Sequence, residues 1–96
     1  MIQQTIRISK KLLAFREDAM NIKKESKKIS SDILIDFSEV HFVSRAFADE
    51  FLNVIEEIKA EGKKINFIKM YPDVRKMLKL VKNGRKKIKK ELEGII

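Results

Sequence analysis

Apolar positions along the chain alternate between two spacings, and the switches divide it into strands and helices in turn. Thr5, Ile6, Arg7 and Ile8 alternate briefly and predict a short first strand at a sheet edge. From about Ala14 to Lys27 the apolar residues Phe15, Ala19, Met20 and Ile22 recur at helical spacing, with Leu12 leading in. The spacing predicts an amphipathic helix. Its acids, Glu17 and Asp18, stand near the start and its lysines near the end, as the helix dipole favours. Ile33, Leu34 and Ile35 then form an unbroken apolar run closed by Asp36. Such a run predicts a strand covered on both faces, the centre of a parallel sheet.

After Ser38 and Glu39, Val40, Phe42 and Val43 bring the chain back toward the core, and Ser44 is placed to cap a helix with its hydroxyl oxygen. From Arg45 to about Glu61, Phe47, Phe51, Val54, Ile55 and Ile58 share one stripe, while Asp49, Glu50, Asn53, Glu56 and Glu57 fall largely on the other side. Gly62 is a natural stop, because a left-handed residue costs least without a β-carbon. Ile65 to Met70 reads as the next strand, parallel to the central one through a helical crossover. Pro72 opens a further helix, Val74, Met77, Leu78 and Val81 are its core stripe, and Asn83-Gly84 supplies its stop. The expected organisation is one α/β domain over residues 1–84, a small mixed or parallel sheet packed with three or four helices. Residues 85–96 follow as a basic tail or a short fourth helix.

Composition narrows the function classes. A 96-residue chain suffices for a single domain with a modest core, hiding about 60 to 65 per cent of its unfolded surface. It contains no cysteine, which excludes a disulfide framework, a thiolate metal site and a cysteine nucleophile, and fits a reducing, cytoplasmic setting. No apolar run approaches the roughly 18 residues of a membrane span, and the first residues lack a signal-peptide core. With three glycines, no phosphate-cradling loop and a lone histidine, neither catalysis nor a metal or other cofactor is expected. His41 reads as a surface histidine. Asp36 reads as a carboxylate that holds the next turn by accepting backbone N–H bonds.

Charge is unevenly spread along the chain. Residues 1–31 carry eight basic and three acidic groups, residues 32–62 two and eight, and residues 63–96 twelve and three, so net charges of +5, −6 and +9 follow one another. The acidic middle implies a surface that meets a basic partner, since complementary potentials speed encounter and set orientation. Arg45 stands out within it, because a cation in the first turn opposes the helix dipole. Pairing with Asp49, four residues on, would compensate, and so would an acidic group on a partner.

The apolar strand, Asp36, Phe37-Ser38, Val40, Phe42, Ser44, long helix, Gly62, strand and Pro72 helix resemble the STAS domain over residues 33–81, about half the chain. Phe42 to Phe51, FVSRAFADEF, resembles the small STAS-like branch with a Ser/Phe/Ala/Asp/Glu signature. The resemblance implies a non-enzymatic regulatory module of the anti-sigma-factor-antagonist kind. Such a module binds a protein partner, a kinase-like ATPase or a transcription regulator, through the turn at the start of the second helix. In antagonist members a serine of an Asp-Ser-Ser-Gly segment is phosphorylated. Laid on this sequence, that segment begins at Ser44 and puts Ala46 at the acceptor serine, so the acceptor hydroxyl is missing. Ser44 is the alternative acceptor, as a phosphate there would gain from the helix N-terminus.

The partner surface expected from these readings comprises His41, Val43, Ser44, Arg45, Ala46, Asp49, Glu50 and Asn53. The competing reading is nonspecific nucleic-acid binding through Arg85, Lys86, Lys87, Lys89 and Lys90, by phosphate contacts alone. Ile88, Leu92, Ile95 and Ile96 form an apolar stripe through which a homodimer would assemble.

Overall fold

The computed structural model describes the backbone of residues 3–95 and the side chains of residues 3–85. Its centre is β3 (Asp32–Asp36), which pairs in parallel with β1 (Gln3–Arg7) on one side and β5 (Ile65–Ile68) on the other. The register sets Ile6, Ile35 and Phe67 in one row and Gln4, Ile33 and Ile65 in the next. Ile33 and Ile35 are fully buried, which fits their place mid-sheet.

The sheet is covered on one face only. In the row on the far face, Thr5 and Asn66 are exposed and the Leu34 between them is half-buried, contrary to the expectation of cover on both faces. Burial alternates along the run Ile33-Leu34-Ile35, as in a strand with one face on the core and one toward water.

Three helices complete an α/β architecture: α1 (Arg16–Lys27), α2 (Arg45–Ala60) and α3 (Pro72–Ile95). Helix α2 is their shared neighbour, packing against both α1 and α3. Its stripe buries Phe47, Ala48, Phe51, Val54 and Ile58. Phe51 is the hub of an aromatic cluster, with ring centroids 5.2 Å from Phe47, 5.7 Å from Phe37 and 5.9 Å from Phe67. Pairs at these separations add about 0.5–1.5 kcal/mol each beyond the area they bury. Helix α2 ends as expected, with Gly62 at φ 84° where a side chain would be strained.

Two parts of the chain depart from expectation. Leu12–Leu13 (β2) and Phe42–Val43 (β4) form a separate two-stranded parallel ribbon, Leu12 opposite Phe42 and Leu13 opposite Val43. The alternation turns Leu13 and Val43 into the core and leaves Leu12 56% and Phe42 60% exposed. Phe15 and Met20, assigned above to a core stripe, are also exposed; Ala19 and Ile22 alone carry that stripe inward. Phe15 occupies the N-cap of α1 and has no side-chain oxygen, so the Asp18 carboxylate reaches back to the Phe15 N–H at 3.2 Å instead.

The second departure is α3, which runs through Asn83-Gly84 to Ile95 with no stop and no separate fourth helix. Gly84 keeps a negative φ there. A glycine weakens a helix interior by roughly 1 kcal/mol but does not by itself end it.

Candidate functional site

The ribbon and the first turn of α2 are joined by one hydroxyl. Ser44 Oγ accepts the Phe47 N–H at 3.0 Å, which is the predicted cap, and donates to the Ala14 carbonyl at 2.6 Å. Backbone bonds from His41 and Phe42 N–H to Lys11 O, and from Ser44 N–H to Leu13 O, hold the two segments together around it. Both hydrogen-bonding capacities of the hydroxyl are thus engaged within the chain. A phosphate on this oxygen would remove the hydrogen given to Ala14.

The exposed residues at this junction include Lys11, Leu12, Phe15, His41, Phe42, Arg45 and Ala46. The His41 ring stacks on Tyr71 with centroids 4.7 Å apart, and Tyr71 leads into α3. Arg45 has no acidic residue beside it in the first turn of α2. Among the described residues it forms no ion pair, so the expected Arg45–Asp49 pairing is replaced by another arrangement.

That arrangement draws Asp49 away from solvent. Arg85 from α3 reaches Asp49 Oδ1 with Nη2 at 2.7 Å and Nε at 3.1 Å, and Nη2 also donates to the Asp49 carbonyl. Arg16 from α1 takes Asp49 Oδ2 at 2.9 Å and approaches Glu50 at 3.5 Å. The Arg85 and Arg16 hydrogen bonds hold the Asp49 carboxyl below the ordinary carboxylate value, against the opposing pull of partial burial. Further along the helix, Glu57 is taken by Lys23 of α1. Alongside, a cleft of about 590 Å³ opens between the start of α2 and α3, lined by Arg16, Arg45, Asp49, Leu80, Val81 and Arg85 among others.

Several expectations change accordingly. Asp49, Glu50 and Asn53 are half-buried, and Asp49 and Glu50 are neutralised by the chain's own arginines, so they do not form an open acidic face. Val43 is buried and cannot touch a partner. His41, Arg45 and Ala46 are exposed as expected, with Ser44 half-buried behind them. Arg85, named above for nucleic-acid contact, is turned onto Asp49; Lys86, Lys87, Lys89 and Lys90 lie outside the described side chains.

Compared with protein-family models, curated proteins and solved structures, the chain matches none. The site therefore rests on its own geometry.

Asp36 behaves as predicted, its Oδ1 accepting the Ser38 N–H at 2.8 Å, and that bond is the main reason its carboxyl lies below the ordinary value. Among the described residues no set of three or more His, Cys, Asp or Glu side chains is grouped to hold a metal ion. The residues that sequence reasoning missed are Leu12, Phe15 and Phe42. The signal available for them was weak: each looks like a core position by local spacing, and only the pairing of two segments thirty residues apart turns Leu12 and Phe42 outward.

Proposed function

We propose that the chain is a non-catalytic protein-interaction module that docks a protein partner through the β2–β4 ribbon and the first turn of α2. The observation that carries this reading is the exposure of Leu12 and Phe42 as directly opposed ribbon residues, beside Arg45 and Ala46. Large apolar side chains placed together in water are unfavourable unless another surface covers them, and aromatic and arginine anchors dominate the energetics of such contacts. The resemblance to the STAS domain supports the same end of α2 as the binding end, and implies a regulatory partner of the kinase-like ATPase or transcription-regulator kind, met in the cytoplasm. The docking surface so drawn is apolar and cationic, which favours a partner that presents an apolar groove with an acidic rim to Arg45. No described helix is long and apolar enough to cross a membrane.

The test is affinity capture from the protein's own host with the tagged full chain and two variants. A partner retained by the native chain and by Asp49→Ala, but lost by Leu12→Ser with Phe42→Ser, is the expected result. Because both ribbon side chains are more than half exposed, the double variant should stay folded by circular dichroism. Capture that is indifferent to the ribbon substitutions, or the absence of any captured protein, would overturn the proposal.

A further inference from the structure

Residues 74–90 contain nine basic side chains and no acidic one, and all of them belong to the unbroken helix α3. Over its described part the helix divides cleanly. Val74 is buried and Met77 and Leu78 pack against the core, whereas Arg75, Lys76, Lys79 and Lys82 are all exposed. Among the described residues none of these four forms an ion pair, although seven other cations of the chain do. Arg75, Lys79 and Lys82 follow one another at spacings of four and three, hence along one line of the helix surface with about 5–6 Å between neighbours. The sequence repeats that spacing at Lys86, Lys89 and Lys90.

We infer that this outer face of α3 is a binding surface for the phosphodiester backbone of nucleic acid, without base readout. The inference goes beyond the docking proposal and does not rest on it, since the basic line and the ribbon use different residues.

The choice among polyanions follows from what the face lacks. An amphipathic helix that enters a lipid surface needs a free apolar side. Here Val74, Met77 and Leu78 are already committed to the core, and Leu80 is the one large apolar side chain left exposed on the described part of α3. An acidic protein partner would be held mainly by buried anchors at the centre of the contact, which a row of lysines does not supply. A regular polyanion needs neither, because cations that neutralise phosphates gain by releasing condensed counterions. Base stacking is not offered either: Tyr71, the aromatic nearest in sequence, is already stacked on His41. Binding should therefore be indifferent to sequence and steeply salt-dependent.

The test measures fluorescence anisotropy of a labelled 20-base-pair duplex, and of one of its strands, across a salt series with the full chain. Arg75→Gln, Lys76→Gln, Lys79→Gln and Lys82→Gln together should weaken binding at least tenfold at low salt. They should also flatten the slope of log affinity against log salt by about two to four, near one for each phosphate no longer neutralised. A control with the same charge change, Lys24→Gln, Lys27→Gln, Lys28→Gln and Lys59→Gln, should bind within about twofold of the native chain. Helix content by circular dichroism confirms that both variants fold. No binding by the native chain at low salt, equal loss in the control, or an unchanged slope in the α3 variant would each overturn the inference. So would capture by vesicles rich in anionic lipid with no affinity for either oligonucleotide.

Discussion

Helices α2 and α3 pack side by side and carry opposite charge, yet they meet water in different ways. Three of the four acids of α2 are met from within the chain, Asp49 by Arg16 and Arg85, Glu50 by Arg16 and Glu57 by Lys23, and Glu56 stays exposed. The cations on the outer face of α3 meet no acid among the described residues. The net charge of +8 is thus not evenly diluted over the surface. Internal pairing engages five of the eight acids of residues 32–62, while four exposed cations without an acid among the described residues lie together on α3. A segment's net charge read along the chain is therefore a poor guide to the field outside the molecule, because pairing across helices cancels one sign first.

The sharpest contrast between the helices lies in what each contributes to the core. Phe51 on α2 is fully buried at the meeting point of three other phenylalanine rings. Phe51→Ala should cost about 3–5 kcal/mol, the transfer free energy of the ring plus the cavity left behind. Leu80 on α3 is 53% exposed, and Leu80→Ala should change stability by no more than about 0.5 kcal/mol. Urea denaturation of the two variants checks both. A large cost at Leu80 would mean that α3 is bound down as firmly as α2, and its outer face would then be misassigned.

The next contrast concerns Asp49, whose two arginine partners tie α2 to both neighbours. Asp49→Ala should destabilise by about 1–2 kcal/mol at neutral pH. Charge-assisted hydrogen bonds set the upper figure, and the side chain's 35% exposure discounts it. The pH dependence has a definite sign. The folded-state pKa of Asp49 lies below the unfolded value of about 3.9, so between the two the unfolded chain binds more protons and stability rises with pH. The gap between the native chain and the variant should be full above about pH 5 and close as pH falls below about 4. Asp18 is also lowered: burial pushes its carboxyl up, but Lys10 and the Phe15 N–H outweigh that. It titrates in both proteins, so the difference between them isolates Asp49.

How much of this was legible in the sequence depends on how far apart the deciding residues stand. Ser44 as a cap, Gly62 as a stop, Pro72 as a start and the buried pair Ile33 and Ile35 are each decided within four residues, and all are seen. The ribbon was not legible, because a two-residue strand shows no period and Leu12 pairs with a residue thirty positions away. The fate of Asp49 was hidden for the same reason, its partners lying 33 and 36 residues off while the nearby Arg45 suggested a local pair. The stop expected at Asn83-Gly84 failed differently. That signal is a preference of about 1 kcal/mol, and α3 continues past it with Gly84 in open space.

The smallest effect is also the one whose sign separates the two helices best. Lys79 has like-charged neighbours at spacings of four, three and three, namely Arg75, Lys76 and Lys82, and no acid beside it among the described residues. Like charges at these helical spacings repel by roughly 0.2–0.5 kcal/mol per pair in dilute salt, and counterions screen that repulsion within about 3 Å at 1 M. Lys79→Gln keeps the helix propensity almost unchanged, so it should stabilise the protein by a few tenths of a kcal/mol at low salt and by nothing at high salt. Asp49→Ala moves stability the opposite way, because it removes an attraction. A thermal-melting series in salt that found Lys79→Gln destabilising would reveal an acid already seated on this face, and the cations of α3 would then be committed within the chain just as Asp49, Glu50 and Glu57 of α2 are.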